Sequence, residues 1–307
     1  MSCYEDTLVV IPYFNYYPNE RRLAILKDSL FGLSRCCDVW LVHCGDSLPF
    51  SLPIAHSQLN SPDALRCFQK EALINHAIHR LLLGDHPSYL NGDYKRVIFL
   101  DADVVPLGTG TWSEFISHCK SYGPRSYGQP CSHFLTPQGL LESTTGRISR
   151  ITREDLTYED IQGTAPGGCW VVGIEALGAY YQYPYCFVGG GDTVYAVSHI
   201  QDLDYKSFYL NNMNSEIREN VLSFIKVIKA NQQRVNANYE IPRQPLCLHS
   251  LDHGQAKTKN YVDRHQLYNL SGIISSVSIQ LGELVKVKDT NNGLLLKSFI
   301  SGYMESL

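Results

Sequence analysis

Along the first hundred residues, short apolar runs alternate with longer stretches in which apolar residues recur every three or four positions. TLVVIPY (7–13) is rich in β-branched and aromatic residues and leads into a turn marked by Pro12 and Asn15. NERRLAILKDSLFGL (19–33) spaces Leu23, Leu26, Leu30 and Leu33 as one stripe of a helix. DVWLVHC (38–44) and VIFL (97–100) read as two further strands. Between them, Ser61 as a cap, Pro62 at the first helical position and Asp63 in the first turn predict a helix through Leu65, Phe68, Ala72 and Leu82. Strand, helix, strand, helix, strand predicts an α/β fold on a mainly parallel sheet with right-handed crossovers.

Beyond residue 106 the pattern changes. Residues 122–165 are irregular and rich in Ser, Thr, Gly and Pro, which suits loops that contact a substrate. GGCWVVGI (167–174) returns to strand, EALGAYY (175–181) reads as helical, and Ile217, Val221, Phe224, Ile225 and Ile228 mark an amphipathic helix over 214–230. The expected organisation is one domain over 1–270, with halves at about 1–106 and 107–270, and a C-terminal extension over 271–307. For that extension, packing on the core, oligomerisation and contact with a membrane surface all stay open.

Composition narrows the class. The chain has 307 residues, 44% hydrophobic and 18% charged, enough apolar material for a substantial core. A net charge of -4 argues against nucleic acid or an anionic membrane as the main partner. No apolar run is long enough to span a bilayer, and MSCYEDTLVVIP has acids where a signal peptide has bases, so a cytoplasmic protein is expected. The ten cysteines include no CxxC pair, which leaves zinc and thioredoxin-type chemistry without support. They are expected to be reduced thiols, the vicinal Cys36 and Cys37 included.

Chemistry concentrates in VIFLDADVVP (97–106). A strand of four apolar residues delivers Asp101 and Asp103 to its carboxyl end, where parallel sheets bind ligands. A period of two sets both side chains on one side of the extended chain. Such a pair is either a solvated turn or a seat for a hard divalent cation, Mg²⁺ or Mn²⁺, completed by water and phosphate oxygens. A phosphatase of the haloacid-dehalogenase type needs its Asp-x-Asp after the first strand and a following Thr. Here the motif comes late and Val104 and Val105 follow.

This arrangement resembles the GT-A glycosyltransferases, which carry an Asp-x-Asp motif at the edge of a nucleotide-binding sheet. The resemblance implies a GT-A, Rossmann-like fold with Asp101 and Asp103 at a metal, Mn²⁺ or Mg²⁺. Asp103 would hold the metal at the donor diphosphate. Asp101 and Ala102 would face the nucleotide sugar, with Asp101 meeting the ribose or a metal-bound water. VVIPYFN (9–15) is similar to the family's opening strand, so Pro12 and Tyr13 would border the base. QKEALINHAI (69–78) is similar to its nucleotide-approaching helix, with Arg66, Lys70 and Asn75 as polar contacts, Arg66 and Lys70 sharing a helix face.

APGGCWVVGIEAL followed by YCFVGGGDTVYA resembles the Gly-Gly strand and the Gly-Gly-Glu-Asp segment of inverting galactosyltransferase-like enzymes. Gly167 and Gly168 would approach the donor closely, and Asp192 matches the catalytic base. A plain helix cap at Asp192 is the bland alternative. Gly191 departs from the family, many of whose members have Glu there. CLHSLDHGQAKTKNYVDR (247–264) is similar to the family's C-terminal His segment. His253, with His249 as runner-up, would complete the metal shell and tilt it to Mn²⁺. Lys257 and Lys259 would meet phosphate, and Arg264 would pair or reach the donor.

The resemblance covers about residues 7–265. It implies an inverting hexosyltransferase that moves a sugar from a nucleotide diphosphate, with UDP the expected nucleotide, to a hydroxyl on a glycan, protein or small molecule. Two alternatives stay open. One is a retaining transferase of the same fold, which needs the metal but no base. The other is a catalytically silent nucleotide-sugar or glycan-binding protein, favoured by Gly191. A nucleotidyltransferase would need a Gly-rich, Arg/Lys-bearing loop after the first strand, and none is present.

Overall fold

The computed structural model describes residues 6–16, 20–51, 54–61, 64, 66–67, 69–87, 90, 93–106, 111–130, 133–135, 141–142, 167–186, 190–198, 213–240, 246–250 and 271–305. Strand β1 (Thr7–Asn15) leads to helix α1 (Glu20–Leu33), and β2 (Asp38–Gly45) to β3 (Ala55–Leu59). Helix α2 (Lys70–Leu82) then crosses back to β4 (Arg96–Leu100). After β5 (Val104–Pro106) come α3 (Trp112–Cys119), β6 (Ser126–Gly128), β7 (His133–Leu135) and β8 (Leu141–Glu142). Strand β9 (Cys169–Gly173) runs into a 3₁₀ turn, Ile174–Ala179, followed by α4 (Gly191–Val197) and α5 (Ser215–Arg234). The chain ends with β10 (Asn238–Tyr239), β11 (Cys247–Ser250), β12 (Val277–Ser278), β13 (Lys286–Val287) and α6 (Asn291–Glu305).

Seven strands form one sheet in the order β3-β2-β1-β4-β9-β6-β10. The pairs β3/β2, β2/β1, β1/β4 and β6/β10 are parallel, whereas β9 is antiparallel to both its neighbours, so the sheet is mixed and mainly parallel. From β1 the chain builds outward through β2 and β3, then returns to place β4 on the other flank of β1. Their carboxyl ends flank the switch point at which open α/β sheets form a crevice. Strands buried on both faces are apolar at nearly every position: all five residues of β4 are buried, four of them apolar and the fifth, Arg96, paired with Asp6 at 3.0 Å. Leu8, Val10, Val97 and Phe99 pack on one side with Leu73 and Ala77 of α2. Val9, Ile11, Ile98 and Leu100 pack on the other with Leu26 of α1 and Phe115 of α3. A smaller sheet, β5-β11-β7-β8, continues from the end of β4.

Two expectations are corrected. Helix α2 begins at Lys70, with Gln69 in the cap position, and not at Ser61-Pro62-Asp63. Long-range contacts override the local cap signature: Ala64 bridges to Lys286, and the Gln69 amide exchanges two 3.2 Å hydrogen bonds with the backbone of Val285. Arg66 therefore precedes the helix and shares no helical face with Lys70. The C-terminal segment packs on the core, one of the three possibilities left open above. Ile273, Val277, Val285, Leu296 and Ile300 are buried against Ala72 of α2 and Ile217 and Val221 of α5. Among the described residues no helix is long and apolar enough to cross a membrane.

Candidate active site

Strand β4 ends at Leu100, and the backbone N–H of Val104 donates to the carbonyl of Asp101 at 3.1 Å, closing a tight turn over Asp101-Ala102-Asp103. The turn is tied to β9 as well, since Asp101 N–H donates to the carbonyl of Gly168 at 2.9 Å. Gly168 stands at φ 92°, a left-handed conformation that L side chains disfavour. Helix α4 starts through Gly190 at φ 106°, so Asp192 lies inside its first turn. Asp192 is not the cap; Gly190 occupies that position.

Helix α2 ties these pieces together. Lys70 Nζ lies 2.7 Å from Asp101 Oδ1 and 2.8 Å from Asp192 Oδ2. The three side chains are 18%, 27% and 20% exposed, sheltered but open to the crevice. Burial disfavours the lysine charge, yet the two carboxylates prevail and hold its pKa above the ordinary lysine value. Asp101 is pushed upward by burial and by Asp192 and Asp103, against the pull of Lys70. Gly167 packs directly on Asp192: a Cβ there would collide with the carboxylate. Gln129, buried, donates from Nε2 to the Gly167 carbonyl at 3.4 Å.

The other sequence-derived residues divide clearly. Pro12 and Tyr13 lie at the carboxyl half of β1, where both are buried. The Tyr13 ring is 3% exposed and shares an apolar cluster with Ala102, Val104 and Leu248, beneath the Asp-x-Asp turn. Arg66 is exposed and sits 5.9 Å from the Tyr16 ring centroid. Asn75 faces inward: its Nδ2 donates to the Gln182 carbonyl at 2.9 Å and its Oδ1 accepts from Gln182 N–H at 2.7 Å. Both halves of that amide are bonded to the Gln182 backbone inside the protein. His253, Lys257, Lys259 and Arg264 lie outside the described residues.

For a divalent cation, the turn offers the carboxylates of Asp101 and Asp103. On β11, His249 is paired in register with Val105, two residues beyond Asp103. Its Nε2 is buried with no hydrogen-bond partner among the described residues. Two carboxylates and an unsatisfied imidazole are chemically suited to Mn²⁺. No group of three His, Cys, Asp or Glu gathers as a cation site among the described residues.

Sequence patterning missed Glu71. Buried beside Lys70, it has its pKa raised to about 8 by burial and by Asp192, with Lys70 opposing. Its one local signal is a charged residue set between Lys70 and the buried run Ala72, Leu73 and Ile74.

No protein-family model matches the chain, and no curated protein does. The solved structures similar to it include two glycosyltransferases. One is a glycosyltransferase involved in the glycosylation of the major capsid of PBCV-1, 10% identical, covering 85% of this chain and 98% of its own, with a TM-score of 0.34. The other is the galactosyltransferase LgtC in complex with donor and acceptor sugar analogues, 13% identical, covering 89% and 97%, with a TM-score of 0.34.

Proposed function

We propose that this chain is a metal-dependent inverting glycosyltransferase that moves a hexose from a nucleotide diphosphate, UDP in the first instance, to a hydroxyl acceptor. One observation carries the reading. Lys70 draws Asp101, at the end of a buried strand, and Asp192, at the start of a helix, to a common point on the crevice side of the sheet. A cation between two carboxylates from distant elements is a costly arrangement for structure alone, and perturbed groups gathered in a cleft are the mark of a reactive site.

The roles follow from position. Asp101 and Asp103 would hold Mn²⁺, with His253 as nitrogen ligand, since His249 does not gather with the two carboxylates among the described residues. The metal supplies charge neutralisation for the leaving diphosphate. Lys70, with Lys257 and Lys259, adds positive charge at the same end of the substrate. Asp192 takes the proton of the acceptor hydroxyl as it attacks the anomeric carbon from the face opposite the nucleotide, which inverts the centre. Gly167 keeps the space beside Asp192 free of a side chain, and Gly168 would let the backbone approach the donor closely.

The test is nucleotide release from a panel of UDP-, GDP- and TDP-sugars with Mn²⁺ and then with EDTA. Release from one donor, lost with EDTA and in Asp103→Ala, is the expected result. Release that survives in Asp192→Asn would exclude the base and leave a retaining transferase. Binding of UDP with Mn²⁺ but no release from any donor would mean a silent binding protein.

A further inference from the structure

Glu71 has no part in the roles above, yet it is one of the few charged side chains that the fold buries, at 4% exposure. It follows Lys70 in the first turn of α2, and its side chain lies against the first turn of α4. A Cβ built on Gly191 would run into its Oε1 and Cγ and come within 2.7 Å of its Cδ. Backbone conformation does not demand glycine at 191, because the left-handed torsion belongs to Gly190. What excludes a side chain at 191 is the carboxyl of Glu71. The next residue is Asp192, whose carboxylate is limited on another side by Gly167 and bonded at 2.8 Å to Lys70.

We propose that Glu71 is a positioning residue for Asp192: filling the space over Gly191, it seats the first turn of α4 and fixes where the Asp192 carboxylate points. The proposal rests on the reading of Asp192 as the base. An interlock of this kind demands shape first, and a carboxyl in it must not add to the local negative charge. Asp101 and Asp192 already share the ammonium of Lys70, and Glu71 feels the charges of Lys70 and Asp192. With its pKa raised to about 8, Glu71 is mainly the neutral acid at pH 7, so it fills the space without adding a third negative charge. Glutamine, neutral and of the same shape, is then the faithful substitute, whereas alanine leaves a void.

The experiment compares wild type, Glu71→Gln, Glu71→Ala, Gly191→Ala, the double variant Glu71→Ala/Gly191→Ala, and Asp192→Asn. Melting temperature is measured for each, together with kcat and KM for UDP release from UDP-galactose and UDP-glucose with Mn²⁺ at pH 7. Glu71→Gln should stay within about threefold of wild type, and Gly191→Ala should lower kcat by about 30-fold with KM changed by less than about twofold. In the Glu71→Ala background, where the collision is gone, Gly191→Ala should lower kcat no further. An equal loss from Gly191→Ala in both backgrounds overturns the proposal, as does wild-type kcat in both Glu71→Ala and Gly191→Ala while Asp192→Asn is inactive. Full activity in Asp192→Asn overturns the base reading itself. If neither donor is turned over, melting decides. Gly191→Ala should cost about 4 °C or more alone and nothing beside Glu71→Ala, and equal costs in both backgrounds reject the interlock.

Discussion

Lys70 Nζ stands 2.8 Å from Asp192 Oδ2, although 122 residues separate the two in sequence. The same ammonium holds Asp101, so its removal leaves two sheltered carboxylates facing each other with no cation between them. Lys70→Met should therefore cost about 2–3 kcal/mol of stability by chemical denaturation. It should also lower nucleotide release by about 100-fold or more, since charge at both the diphosphate and the base is disturbed. Lys70→Arg should recover stability better than activity, because a guanidinium keeps the charge between the carboxylates but is larger and planar, with its donors in a fixed fork, and so displaces them from the positions a compact ammonium holds. Equal activity in Lys70→Met and wild type would remove Lys70 from the machinery.

Gly167 supports a second prediction, of opposite kind. Its missing side chain leaves room for the Asp192 carboxylate, and a methyl group there must push that carboxylate off its contact with Lys70. Gly167→Ala should lower kcat by about 30-fold or more while the melting temperature falls by no more than about 3 °C. A fall in melting temperature with kcat preserved would assign Gly167 to folding alone.

Much of the strand framework of this site is legible in the sequence. Strands β1, β2 and β4 are buried on both faces and so appear as unbroken apolar runs, and the charge that ends such a run must be at an edge. That is why Asp101 and Asp103 could be placed from VIFLDADVVP alone. The start of α2 could not. Ser61-Pro62-Asp63 carries every local cue of a helix opening, but Gln69 is held by Val285, 216 residues onward, and no local window contains that bond. The partner of Asn75 is as far off: Gln182 lies 107 residues away, and no local window shows that the amide is bonded inside the protein. Glu71 was invisible because a charged residue on a helix reads as solvated, and only the tertiary approach of Gly191 explains its burial.

Asn75 gives a third prediction. Replacing it with Ala removes both hydrogen bonds and leaves the Gln182 backbone unpaired in a buried place, at a cost of about 2–3 kcal/mol. The KM for the donor should remain within about twofold of wild type in the protein that folds. A rise in KM without loss of stability would return Asn75 to the nucleotide.

The C-terminal segment should prove inseparable from the rest. Leu296 is 3% exposed and Ile300 fully buried in the cluster that includes Ala72, one turn of helix from Gln69. Leu296→Ala should cost about 3 kcal/mol by urea denaturation. Truncation after residue 270 should give insoluble protein, because it bares the apolar faces of α2 and α5 together. A soluble, active 1–270 fragment would show the segment to be an accessory.

Finally, the acid at Glu71 predicts a slope in stability with pH. Its pKa is raised from the ordinary glutamate value of 4.5 to about 8 in the folded protein, chiefly by burial. Between those values the unfolded chain has released this proton while the folded chain keeps it, so rising pH favours unfolding. The stabilising effect is complete below about pH 4.5, weakens steadily through neutrality and is spent once Glu71 ionises near pH 8. Across pH 5–8 wild type should therefore lose melting temperature faster than Glu71→Gln, whose amide does not titrate. The difference between the two curves should level off above pH 8 to 9, a few degrees from its acid value. Parallel curves across that range would mean that Glu71 is ionised in the fold, and that Lys70 is shared among three carboxylates and not two.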